Sequence, residues 1–339
     1  MKEIIKVYDL KKWFPVRLGF FESLLTRKHL FVRAVDGIEF DVVQGEIFAL
    51  VGESGSGKTT TGRLLMKLIE PTGGKILFEG KDVTKMTAED TKIFRRKVQI
   101  IFQDPYESLN PRMTIFNIIA EPLRVLGLAG DERGLSERVF NALEDVRLIP
   151  PDEFLPRYPH ELSGGQRQRV ATGRALVLNP EFIVADEPVS MLDASIRAEV
   201  LNIMFELRKK YDVSFLYITH DIALARHICE RMAVMYLGKI MEKGDVEKIV
   251  NEPLHPYTRA LMAAVPSPDP EAKRIEVTLK GEIPSPINPP SGCRFHTRCP
   301  EYIGDVCRKQ EPQLTKVGEN HFVACHLYPS ANDLKLRKS

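Results

Sequence analysis

The chain lacks any apolar run approaching the roughly 20 residues that a membrane-crossing helix needs, so no helical span is expected. It also lacks a charge bias: 48 Lys and Arg stand against 46 Asp and Glu, for a formal net charge of +2. That balance gives none of the general basic field that advertises nucleic-acid binding. The start, Met1 to Lys6, has no continuous apolar core of the kind a secretory signal carries, and a cytoplasmic location is expected. Any membrane role would then have to come by docking on another protein. There is no internal repeat, and only one glycine loop of the phosphate-binding type occurs. Cysteine is almost missing from the first four fifths: Cys229 stands alone in a helical pattern and reads as a small buried hydrophobe. What remains is ordinary for a globular protein, with 43% hydrophobic and 28% charged residues in 339. Such a length supports one large core with a smaller module, or two domains.

Against that plain background one stretch stands out, Gly52-Glu-Ser-Gly-Ser-Gly57-Lys58-Thr59-Thr60. It follows the apolar run Ile47–Val51 and precedes Arg63–Ile69, read as an amphipathic helix. Strand, glycine-rich turn and helix in that order bind triphosphate, because backbone N–H groups and the positive helix end face the anion. Gly52, Gly55 and Gly57 keep side chains out of the way, Ser54 and Ser56 extend the loop, and Lys58 can neutralise β- and γ-phosphates. The Thr59 hydroxyl can complete a Mg²⁺ shell, with Thr60 beside it. The alternative, a glycine-rich surface turn, is disfavoured by the strand before and the helix after.

Taken in order, Ile4–Leu10 alternates as a strand ending at Trp13 and Phe14, and Phe31–Val43 is a second strand region. Between them Pro15–Leu30 is a basic, aromatic loop. The exposed aromatics suit either a core cap or stacking on a base. Lys75–Phe78 and Val98–Phe102 read as strands, the latter stopping at Gln103-Asp104-Pro105. In a parallel α/β sheet, ligand contacts gather at such carboxyl ends. From Met113 to about Leu178 the apolar spacing is helical throughout, as in an all-helical insertion. Within it Leu162-Ser163-Gly164-Gly165-Gln166 precedes a helix over Arg167–Leu178, with Ser163 placed to cap it. That loop suits a capped helix start or a second anion site, and its spacing alone does not choose.

Phe182–Ala185 is an apolar strand that delivers Asp186 and Glu187, one suited to Mg²⁺ and the other to accepting a proton from water. Asp193 precedes a helix over Ser195–Lys210, and the strand Val213–Ile218 leads to Thr219-His220-Asp221. Met232–Tyr236 and Lys239–Met241 resemble a hairpin, Pro256–Val265 a short helix, and Val265–Pro270 a proline-rich boundary. Gly281–Pro290 reads as a loop.

Together these motifs spell a family. Gly52–Thr60 (Walker A), Gln103 (Q-loop), Leu162–Gln166 (signature), Phe182–Glu187 (Walker B), Asp193 (D-loop) and His220 (H-loop) occur in the order of ATP-binding-cassette ATPases, and the chain resembles them over about residues 3–265. His255-Pro-Tyr-Thr-Arg-Ala-Leu261 and Gly292–Pro300 resemble the C-terminal region of the oligopeptide/dipeptide importer ATPases, and Phe102–Arg112 is closer to their F-type than to their D-type subunit. The resemblance implies an α/β P-loop NTPase with an antiparallel β subdomain, a helical signature subdomain over about 104–178, and a small Cys-rich C-terminal extension. The nucleotide-binding domain would cover 1–265 and the C-terminal region 266–339.

The resemblance also implies roles. Lys58 and the Gly55–Thr60 backbone would hold phosphate, while Thr59, Gln103 and Asp186 would hold Mg²⁺, the last through water. Glu187 would orient and deprotonate the attacking water, and His220 would contact the γ-phosphate. Phe14 best fits the adenine-stacking aromatic, with Trp13 as runner-up. Ser163 and Gly165 would serve nucleotide bound by a partner subunit, and Gly164, Gln166 and Asp193 would count with them among the nucleotide-binding residues. The implied partners are a paralogous D-type ATPase forming a heterodimer, two transmembrane permease subunits and an extracytoplasmic substrate-binding protein, with the chain on the cytoplasmic face of the membrane. The implied activity is ATP hydrolysis that energises peptide import. Oligosaccharides or nickel are alternative cargoes. A soluble ABC protein of repair or translation and an exporter ATPase are disfavoured by the importer-like tail.

Cys293, Cys299, Cys307 and Cys325 are spaced C-x5-C-x7-C-x17-C, which matches neither paired CxxC zinc sites nor ferredoxin runs. In a reducing compartment such a cluster suits a metal or iron–sulfur site better than disulfides. The resemblance implies a 4Fe–4S cluster, with zinc the first alternative and four reduced thiols or adventitious disulfides the plain reading.

Overall fold

The computed structural model describes residues 2–16, 30–265, 279 and 281–328. Most of the basic loop expected over Pro15–Leu30 and the proline-rich stretch 266–270 lie outside the described residues. The described strands are β1 (Glu3–Pro15), β2 (Phe31–Val43), β3 (Ile47–Val51), β4 (Gly73–Phe78), β5 (Lys81–Asp82), β6 (Val98–Ile101), β7 (Phe182–Asp186), β8 (Ser214–Thr219), β9 (Arg231–Tyr236), β10 (Lys239–Asp245), β11 (Thr315–Gly318) and β12 (His321–Val323). The chain forms two compact units, one of residues 1–5, 42–47 and 78–218, the other of 6–41, 48–77 and 219 onward.

In the first unit β6, β7 and β8 run parallel, with Ile101 opposite Ala185 and Asp186 opposite Ile218. All five residues of β7 are buried. A strand covered on both faces reads as an unbroken apolar run rather than an alternating one, as Phe182–Ala185 does. Between β6 and β7 every regular element is helical. The helix Ile115–Val125 buries Ile115, Ile118, Ile119 and Leu123. Glu132–Asp145 buries Leu135, Val139, Ala142 and Leu143. Those are the i, i+3, i+4 stripes that a helix packs against its neighbours.

In the second unit β3 runs parallel to β9, with Val51 opposite Val234, and β9 turns back antiparallel into β10. The C-terminal residues continue the same sheet: β12 pairs antiparallel with β10, and β11 with β12. β2, β1 and β4 lie side by side in a separate sheet.

Two helix limits differ from the sequence reading. The helix after the glycine loop is Lys58–Leu65, not Arg63–Ile69. It starts at once because Gly57 serves as its N-cap, and it ends early because Lys67 turns left-handed at φ +51°. The signature helix begins at Gly164, three residues before Arg167, because Ser163 and Gln166 form a reciprocal capping box.

Candidate functional site

The glycine loop is built by close backbone approach. Gly57 has φ +109°, and a Cβ there would lie 2.1 Å from the Ala34 carbonyl oxygen. A Cβ on Gly52 would lie 2.2 Å from the Met235 carbonyl oxygen. Only glycine fits either place. The Lys58 ammonium is buried and turned into the loop, donating to the carbonyls of Gly52 at 2.8 Å and Glu53 at 3.0 Å. Those contacts solvate a buried charge with backbone carbonyls and fix it among the loop's own groups. No side chain caps the helix that begins at Lys58, so its positive end faces the loop. Ser54 and Gly55 are exposed, and Thr59 and Thr60 half-buried.

Of the two aromatics ending β1, Trp13 is pinned: its Nε1 donates to Asp36 at 2.9 Å and the Arg33 guanidinium sits 4.7 Å from its ring. Phe14 is the more exposed, with the Lys12 ammonium 5.1 Å from its ring. His220 is exposed at the end of β8. Asp221 beside it caps the helix Ile222–Ile228 through the Leu224 N–H.

In the first unit β7 ends on buried Asp186, and Glu187 then turns left-handed at φ +44°. A non-glycine residue in that region is held against a cost of about 1–2 kcal/mol. The holding bonds are its N–H to the Ile218 carbonyl at 3.0 Å, and its carbonyl accepting from the Ser190 N–H at 3.2 Å and hydroxyl at 3.0 Å. This turn aims the carboxylate at Gln103, whose Nε2 donates to Oε2 at 3.3 Å. Two residues 84 positions apart, expected at one reaction centre, are thus brought together. Ser163 Oγ accepts the Gln166 N–H at 3.3 Å, and the Gln166 side chain accepts the Ser163 N–H at 2.9 Å. A Cβ on Gly165 would lie 2.4 Å from Ile196 Cγ2, so the signature loop packs tightly on the helix Ala194–Tyr211. Asp193 at the start of that helix is exposed and makes no side-chain cap.

Sequence reasoning missed a second set of residues around the phosphate loop. The Glu53 carboxylate takes a forked pair from Arg298, at 2.8 and 3.3 Å. The Glu53 N–H donates to the Tyr257 hydroxyl at 2.9 Å. Arg294 pairs with Asp36, the residue that also holds Trp13. The signal available in the sequence was the His255-Pro-Tyr motif and the two arginines between Cys293 and Cys299, which carry no local periodicity to say what they touch.

The four tail cysteines do not present the expected cluster. Cys293 and Cys307 are buried, and Cys299 and Cys325 half-buried. Burial pushes the Cys293 thiol up to about 12 and the Cys325 thiol up to about 11, and the neighbouring thiols add to both. Among the described residues no three or more His, Cys, Asp or Glu are placed to hold a metal ion. The expectation of a 4Fe–4S or zinc site finds no support in this arrangement.

Comparison with known proteins agrees with the motif order. Residues 35–190 match the ABC transporter family, and residues 241–307 the oligopeptide/dipeptide transporter C-terminal region. The chain is 48% identical over 328 residues to the oligopeptide transport ATP-binding protein AppF of Bacillus subtilis, spanning 96% of this chain and 97% of that protein. It is 52% identical over 294 residues to a putative peptide import ATP-binding protein of Brucella ovis, spanning 87% and 92%. A dimeric ATP-binding cassette in a post-hydrolysis state, bound to ADP and Pi, superposes with a TM-score of 0.61 at 27% identity, over 71% of this chain and 98% of that one. With a relative 48% identical over nearly its whole length, this chain belongs to the ATP-binding proteins of the ABC transporters.

Proposed function

We propose that the chain is the ATP-hydrolysing subunit of a binding-protein-dependent importer of di- or oligopeptides. The observation that carries the hydrolytic reading is the Gln103–Glu187 contact, which orients the carboxylate that accepts a proton from water. Lys58 and the backbone of Gly55–Thr60 hold phosphate. Thr59, Gln103 and Asp186 are the residues for Mg²⁺, which when bound supplies charge stabilisation to the transferring phosphoryl group. Phosphoryl transfer asks for such positioning more than for covalent chemistry. His220 contacts the γ-phosphate. Phe14 rather than Trp13 stacks on adenine, a reading supported by the bonds that already occupy Trp13.

The signature residues Ser163, Gly164, Gly165 and Gln166, with Asp193, are proposed to complete nucleotide held by a D-type partner. The helices between β6 and β7 are proposed as the subdomain that meets two permease subunits on the cytoplasmic face. No described helix is long and apolar enough to cross a membrane. The peptide cargo rests on the relatives' names and on the matched tail. Ligand binding by the cognate extracytoplasmic protein tests it: selective capture of an oligosaccharide or nickel would replace it. For the tail we propose 4Fe–4S loading of Cys293, Cys299, Cys307 and Cys325, a reading carried by the tail's resemblance to the peptide-importer ATPases and not by the arrangement of the four thiols. Iron and sulfide determination on anaerobically purified protein tests this, and absence of both sinks it.

Glu187→Gln tests the hydrolytic assignment. It should retain MgATP binding while steady-state phosphate release falls about 10²-fold or more, since one general base contributes on that scale. Normal turnover in the variant would refute the role of Glu187.

A further inference from the structure

We propose that Arg298 and Tyr257 are positioning residues for the phosphate loop, acting through Glu53, so that the C-terminal region is a working part of the nucleotide site. The inference rests on the reading that Gly52–Thr60 binds ATP.

Glu53 is tied at its carboxylate, its N–H and its carbonyl. The carboxylate is gripped by the Arg298 fork and the N–H donates to the Tyr257 hydroxyl. The carbonyl accepts from the Lys58 ammonium at 3.0 Å and from the Ser56 N–H at 3.2 Å. One residue thus links the lysine that meets phosphate to two side chains of the C-terminal part of the chain, 204 and 245 positions away.

Both anchors are immobilised from behind. Tyr257 is fully buried, its ring 4.8 Å from Tyr236 and 5.3 Å from Phe295, itself fully buried. The Arg298 side chain is only 9% exposed and reaches the Tyr236 hydroxyl at 3.5 Å. A rigid aromatic wall therefore sets where the fork and the hydroxyl stand, and they set where Glu53 stands.

The charge logic gives the contact its sign. A carboxylate inside a loop that must receive a triphosphate is electrostatically adverse. Arg298 neutralises it with a bidentate fork, the geometry guanidinium holds best. Without Arg298, the Glu53 charge would compete with phosphate for the Lys58 ammonium that already touches its carbonyl.

The test is MgATP affinity and the KM and kcat of the full-length chain. Arg298→Met should weaken MgATP binding and raise KM about tenfold or more, the scale of one charged hydrogen bond lost, with a smaller change in kcat. Adding Glu53→Gln should restore most of that loss, because nothing charged is then left unpaired. Arg298→Lys, which keeps charge but not the fork, should fall between wild type and Arg298→Met. A merely structural role predicts that the second substitution worsens the first. Affinity for Arg298→Met within twofold of wild type, or a double variant as weak as the single, overturns the proposal. If Arg298→Met does not fold, the Arg298→Lys and double-variant affinities decide by the same comparison. A wild-type chain that binds no MgATP overturns instead the nucleotide reading on which this rests.

Discussion

Acid should loosen the second unit through His255, and asparagine in its place should remove the effect. His255 is 1% exposed; its Nδ1 accepts the Tyr257 N–H at 3.0 Å and its own backbone N–H donates to Glu242 at 2.9 Å. Burial, with the Arg259 charge, pushes its pKa down to about 4, against the opposing pull of Glu242. An unfolded histidine titrates near 6.5. Between those values the unfolded chain takes up a proton that the folded chain refuses, so stability falls as pH falls below about 6.5 and this loss is complete near pH 4. The slope is about 1.4 kcal/mol per pH unit, for a total on the order of 3 kcal/mol. The asparagine side chain of the His255→Asn variant keeps an acceptor at the helix start. It loses ring contact with Phe295, a fixed cost on the order of 1–2 kcal/mol at every pH. Urea unfolding of wild type and His255→Asn, followed by fluorescence of the single tryptophan in the same unit, should give curves that converge or cross between pH 7.5 and 4.5. Parallel curves within about 0.5 kcal/mol would refute the depressed pKa and the burial argument behind it.

Gly57→Ala should abolish MgATP binding in equilibrium dialysis, because its Cβ meets the Ala34 carbonyl oxygen at 2.1 Å and the loop cannot close. Glu242→Leu should cost about 2–5 kcal/mol by urea unfolding, since it leaves the part-buried N–H of Leu254, the buried N–H of His255 and the His321 Nε2 without their acceptor. Ser163→Ala should cost only about 1 kcal/mol of stability as a lost N-cap. Its phosphate release in the assembled transporter should fall far more, if the signature serves a partner's nucleotide.

Whatever depends on neighbours in sequence was legible. The phosphate loop declared itself because the glycines, Lys58 and the flanking strand all lie within a few residues. Asp186 and Glu187 declared themselves because an unbroken apolar run has to be a covered strand, and acids at its end are conspicuous. Ser163 could be placed as a cap because a serine stands just ahead of the helical stretch, although the loop's spacing left an anion site equally open. The helix after the loop was misplaced because the apolar cluster Leu64 to Ile69 outweighed the glycine cap that starts it at Lys58. Arg298 and Tyr257 were illegible for a different reason: their partner lies more than 200 positions earlier, and nothing local, in the short helix that carries Tyr257 or the irregular turn that carries Arg298, encodes so distant a contact. The strands β11 and β12, of four and three residues, are too short to show a period of two. The cysteine spacing named four thiols, but could not say whether the fold would bring them into ligand geometry.

The short pairing of β12 with β10 bears on how copies of this chain behave in a crowd. An open strand edge recruits other strands, and β10, seven residues long with Ile240 and Met241 buried, would be an inviting one. The C-terminal residues cover it and then finish the sheet on β11, four mostly exposed residues with a register break between Lys316 and Gly318. A brief, irregular, lysine-bearing border is a poor template for another backbone. This border of the sheet is thus closed by the chain's own residues, and β10 is withheld from the strands of other copies.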